Sequence, residues 1–98
     1  MSCLARKALV KSKTENYELG LSNAYSALGE FHRRTSSLDS SLYFHRHALM
    51  TREKLGRVDL AMNSLANIGL VSLEMGEFDF AKSNYRKEIE YFESVKPS

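Results

Sequence analysis

Between Leu65 and Phe92 the chain reads LANIGLVSLEMGEFDFAKSNYRKEIEYF, which permits little besides two helices folded back on each other. Small Gly69 follows branched Ile68 in the first half, and Ala81 stands four residues before Tyr85 in the second. Small residues let two helices approach, and the large ones beside them fill the remaining space. Gly76, between the halves, suits a left-handed helix stop. An echo lies upstream, where LGEF at 28–31 returns as MGEF at 75–78, with Leu21 and Ile68 at the same distance ahead of each.

The expected class is therefore all-α. Residues 2–11 carry Leu4, Ala5, Ala8 and Leu9 on one face and read as a separate leading helix. Ser12 stands three residues before Glu15, a capping-box spacing that predicts a fresh helix start. That helix carries Tyr17, Leu21, Ala24, Tyr25 and Leu28 as an apolar stripe and is expected to stop at Gly29. His32 to Ser37 is polar without a stripe, so 32–38 reads as an inserted turn seven residues longer than its counterpart after Gly76. The next helix begins near Leu38 or Asp39, buries Leu42, His45, Ala48 and Leu49, and stops at Gly56. Val58-Asp59 opens another that continues to Gly76, and a last helix runs from about Asp79 toward Val95, with Pro97 limiting extension. In domain terms this gives a leading piece at 1–11, one hairpin unit at 12–56, a second at 57–95 and a tail at 96–98. The distance between the LGEF and MGEF turns is 47, and removing the seven extra residues leaves a period of 40.

The order of these features resembles the tetratricopeptide repeat, whose signature runs W-x2-L-G-x2-Y, A-x3-F, P. Leu65 stands at the tryptophan place, Ile68-Gly69 at the Leu-Gly and Ala81-x3-Tyr85 at the Ala-x3-Phe, while Ser72 and Glu93 depart from the pattern. Leu21-Ser22-Asn23-Ala24-Tyr25 is similar to the family's Leu-Gly-Asn-Ala-Tyr run. The 40-residue period and the segment 48–69 resemble the long repeats of the Pins/LGN group of G-protein signalling modulators. Ala48-Leu49-x-x-Arg52-Glu53-Lys54 also resembles a run in kinesin light chains. The resemblance covers about residues 15–95. It implies antiparallel hairpins in a short right-handed superhelix, an α-solenoid whose first helices line a concave groove for a protein or peptide partner. By that resemblance the groove residues are Asn16, Leu19, Asn23, Ser26 and Ala27, then Asn63, Ala66, Asn67, Leu70, Leu73 and Glu74. Each asparagine offers both donor and acceptor to an extended peptide backbone. Asn16 and Asn63 have the alternative of solvating helix ends. Asn23 and Asn67 also match the asparagine places of the family's carboxylate clamp, but Leu19 stands where that clamp has a lysine.

Composition excludes several function classes. A net charge of +2, with Lys82, Arg86 and Lys87 mixed among Glu88, Glu90 and Glu93, lacks the single-sign stripe of a nucleic-acid binder. No apolar run approaches the ~20 residues of a membrane span. The single cysteine, Cys3, cannot form an internal disulfide, so a cytoplasmic setting is expected. His45 and His47, two apart, point to different sides of a helix, which argues against a metal site. No GxSxG, HExxH or phosphate-cradling glycine loop occurs, and neither an enzyme nor a cofactor is expected. Arg33-Arg34-Thr35-Ser36 places two cations ahead of a hydroxyl, a pattern basophilic kinases accept, so Ser36 is a candidate phosphorylation site whose charge would order the insertion. The final helix keeps Phe80, Ile89, Tyr91 and Phe92, more apolar surface than one neighbour can cover. Self-association or docking on a larger partner is the expected consequence. The competing readings are a self-associating structural segment without a peptide ligand, and a regulatory subunit tied to the cytoskeleton or to motors.

Overall fold

The computed structural model describes residues 3–95, with side chains from Lys13 onward. The apolar face expected over 2–11 and the tail at 96–98 lie outside the described residues. Four α-helices follow one another, α1 (Cys3–Arg34), α2 (Leu38–Lys54), α3 (Val58–Glu74) and α4 (Phe78–Val95), each packed on the next.

All three turns are built the same way. The left-handed residues are Ser36, Gly56 and Gly76, with φ of 65°, 70° and 85°, spaced twenty residues apart. In each turn the left-handed residue donates its N–H to a carbonyl three residues back, and the next residue donates to one five back: Ser36 to Arg33 and Ser37 to His32, Gly56 to Glu53 and Arg57 to Arg52, Gly76 to Leu73 and Glu77 to Ser72. This pair of bonds satisfies carbonyls that a helix end would otherwise leave open. Three residues later Asp39, Asp59 and Asp79 place a carboxylate in the first turn of the new helix, where the helix dipole favours it.

These turns correct the expected organisation of the first half. The helix does not restart at Ser12, because α1 runs unbroken through it, and it does not stop at Gly29, because α1 continues to Arg34. The inserted turn at 32–38 is therefore absent; residues 32–34 are helical, and the connection is as short as the other two. With no insertion to remove, the 47 residues between LGEF and MGEF are not a period; the features that correspond are Gly29 with Gly69 and Ser36 with Gly76, each pair 40 apart, so the LGEF and MGEF segments are not equivalent. The physical reason lies across the hairpin. The His45 ring occupies the space over Gly29 so closely that a Cβ there would come within 2.6 Å of it, and the Tyr85 ring covers Gly69 with a corresponding 3.2 Å. Both glycines are helix-crossing points, and His45 and Tyr85 are themselves 40 apart.

Close crossing explains a core rich in small side chains. Ala48, Ala61 and Ala81 are fully or nearly fully buried, as are Ser22, Ser41, Ser64 and Ser72. Ser41 donates to the Gly29 carbonyl at 2.7 Å and Ser72 to the Ile68 carbonyl at 2.8 Å, so their hydroxyls are satisfied without water. Leu42, Ile68 and Val71 form the aliphatic centre, flanked by Leu38, Leu49 and Met75. On the α1–α2 hairpin a run of rings adds to the packing: His32 on Phe44 at 5.2 Å, Phe44 near Tyr25 at 6.1 Å, Tyr25 on His47 at 5.3 Å, and His47 against Tyr43 at 4.4 Å.

Candidate functional site

Because α1 and α3 both pack on α2, their free sides face a common open groove of about 530 Å³. Asn23, Ser26 and Ala27 contribute from α1 and Asn67 and Leu70 from α3, all five on the face expected from the sequence. Asn63 lies one turn before Asn67 and accepts a hydrogen bond from its side-chain amide at 3.3 Å. Glu74 sits at the end of α3, where its carboxylate accepts from Arg33 at 2.9 Å. Asn16 is set apart, lining a much smaller pocket with Glu15, Leu19, Leu55 and Arg57. Ser36, in the turn, is exposed and already held in a regular hydrogen-bonded geometry, so there is no loose insertion for a phosphate to order.

Three charged residues line the same groove and were not among the expected ones: Glu30, Arg33 and Arg52. Arg33 donates two hydrogen bonds to Glu30, at 3.0 and 2.6 Å, while its other terminal nitrogen reaches Glu74, tying α1 to α3. Arg34 donates a further bond to Glu30 at 3.1 Å. The Arg33 bonds above all, with the Arg34 bond, hold the Glu30 carboxyl down to about 2 against the opposing effect of desolvation, and the bonds to Glu30 and Glu74 raise the Arg33 guanidinium above its usual value.

Arg52 is the groove's deepest feature. It comes from α2, only 4% exposed, and binds both flanking helices. Its Nε donates to Ser22 Oγ at 3.3 Å and its Nη2 to Asn23 Oδ1 at 3.0 Å on α1. Its Nη1 donates to Ser64 Oγ at 2.7 Å and to the Leu60 carbonyl at 3.3 Å on α3. All of these acceptors are neutral. Burial lowers its pKa from the usual arginine value, partly offset by the charge of Asp59, but a guanidinium stays charged throughout the physiological range. The residue thus works as a three-helix staple that also fixes the Asn23 side chain in the groove wall.

His45 lies under the hairpin, 1% exposed, with neither ring nitrogen hydrogen-bonded to a described residue. Desolvation lowers its pKa, so it packs as a neutral ring. Among the described residues no group of three or more His, Cys, Asp or Glu side chains is placed to hold a metal ion. No helix of the described residues is long and apolar enough to cross a membrane. In comparisons with known proteins, no family model, no curated protein and no solved structure matches the chain.

Proposed function

We propose that the chain is a non-enzymatic protein-interaction module of tetratricopeptide-like design, a short α-solenoid that binds an extended segment of a partner along the α1–α3 groove. The observation that carries this reading is the convergence of Asn23, Ser26, Asn67 and Leu70, from helices 40 residues apart in the repeat, on one open groove. Amide side chains on such a wall pair with a peptide backbone in either direction, and Leu70 offers an apolar contact for a side chain. Arg52 and the Arg33 bridge hold the wall in register before a ligand arrives, which limits the ordering cost of binding. In this reading the chain works in the cytoplasm as an adaptor or scaffold in signalling.

A peptide-display library panned on the intact chain tests it. Enriched peptides should share a motif and lose at least about tenfold in affinity, or ~1.4 kcal/mol, when Asn67→Asp is introduced, because a carboxylate removes the donor. Phe92→Ala, outside the groove, should leave binding unchanged. Absence of enrichment, or peptides indifferent to Asn23 and Asn67, would refute the proposal.

A further inference from the structure

The outer face of α4 presents a second groove, of about 470 Å³, lined by Leu73 of α3 and by Phe78, Lys82, Tyr85, Arg86, Ile89 and Glu90 of α4. Phe78 is 66% exposed and Ile89 57%. An offset of 40 residues identifies the corresponding face on α2, where Leu38, Leu42 and Leu49 pack with Ile68 and Val71 of α3. One face of this design is therefore covered by a helix, and its copy is open.

The two copies differ at the centre in a way that selects the occupant. Leu42, in the aliphatic core with Ile68 and Val71, is replaced by Lys82. A helix seated on α4 as α3 sits on α2 would bury an ammonium without a partner, which is strongly unfavourable. The partner must supply an anion opposite Lys82 and apolar surface opposite Ile89. Along this face the charges are ordered: Lys82 and Arg86 come first, Glu90 and Glu93 last. None of the four forms an ion pair with another described residue. A helix with cations in its first half and anions in its second is complementary to itself when reversed.

We propose that α4 pairs antiparallel with α4 of a second copy of this chain. Laid about a two-fold axis near Lys87 and Glu88, Arg86 meets the second copy's Glu90 and Lys82 meets its Glu93, each twice by symmetry, around the two Ile89 side chains. This face shares no lining residue with the α1–α3 groove, so the pairing stands independently of the peptide-binding reading.

Sedimentation equilibrium of the intact chain over a wide concentration range tests it, with circular dichroism to verify helicity. The mass should rise to twice the monomer's. Lys82→Glu and Glu93→Lys should each weaken the dimer by tenfold or more, and the two together should restore it, because the reversed charges still meet. Asn67→Asp should leave the mass unchanged. A monomer at every concentration, a dimer indifferent to the single reversals, or a double variant that fails to recover would overturn the proposal.

Discussion

The α1–α2 and α3–α4 hairpins are two solutions to one geometry. Both pivot on a glycine beneath a ring, Gly29 under His45 and Gly69 under Tyr85, and both close through the same three-residue turn. What fills them differs. The first hairpin carries stacked rings around Phe44 and the buried Arg52. At the corresponding places the second carries Asn84, whose buried amide nitrogen has no hydrogen-bond partner among the described residues, and the exposed Phe92. A backbone repeat here is set by where small residues permit contact and where a left-handed turn is possible, and the remaining positions are free to diverge. The divergence places the densest network of packing and polar bonds in the first hairpin and leaves the second with an unfilled outer face.

Substitutions at equivalent positions sharpen this contrast. The largest effect is expected at Arg52. Arg52→Ala removes several charge-assisted bonds across three helices and leaves a void, so denaturant unfolding should show a loss of about 2–4 kcal/mol. Phe92→Ala, at the matching place, should cost under about 0.5 kcal/mol in the monomer, as exposed positions do.

Next come the crossing glycines. Gly29→Ala drives a methyl into a ring that is itself fully enclosed, and the overpacking should cost about 1–3 kcal/mol. At Gly69 the neighbouring Tyr85 ring is farther away and less enclosed, and alanine's better helix propensity, worth up to ~1 kcal/mol, offsets much of the crowding. Thermal unfolding of the two variants should separate them clearly, with Gly29→Ala the less stable.

Only the first hairpin encloses an ionisable ring, and this gives it a pH dependence. The folded pKa of His45 is lowered by burial from an ordinary value near 6.5. Its contribution is fully present above that pH and is lost as pH falls, because the unfolded chain takes up a proton the folded chain resists. The slope from this residue reaches at most about 1.4 kcal/mol per pH unit. His45→Phe should flatten the stability profile just below pH 6.5, and an unchanged slope would show that His45 is not its source.

The smallest effect is at the turns. Ser36 holds a left-handed backbone that costs an L-residue roughly 1–2 kcal/mol, so Ser36→Gly should stabilise the chain by about 0.5–1 kcal/mol after the added freedom of the unfolded state is counted. Gly76→Ser should lose a comparable amount.

The helices from Leu38 to Val95 were legible because Gly56 and Gly76 lie just past apolar stripes, where a glycine stop reads plainly. The first half misled for a physical reason. A glycine inside a helix and one just beyond it look alike locally, and what distinguishes Gly29 is the His45 ring on the facing helix. The recurrence of Ser36-Ser37-Leu38-Asp39, Gly56-Arg57-Val58-Asp59 and Gly76-Glu77-Phe78-Asp79 carried the correct register, with serine standing in for glycine in the first copy. In the groove, Asn23, Ser26, Asn67 and Leu70 were named through the resemblance to the tetratricopeptide repeat, which supplies the face that a helix turns toward the groove. Arg33 and Arg52 were not, since long side chains reach across from positions whose own helix face says little about their destination.

A double-mutant cycle between Gly29 and His45 tests most directly whether the two hairpins are copies offset by 40 residues. Shortening the ring in His45→Ala opens the space that Gly29→Ala needs, so the double variant should be more stable than the sum of the single losses allows, with a coupling above about 1 kcal/mol. Simple additivity would mean that Gly29 is not a crossing point beneath His45, and the equivalence of the two hairpins would fail.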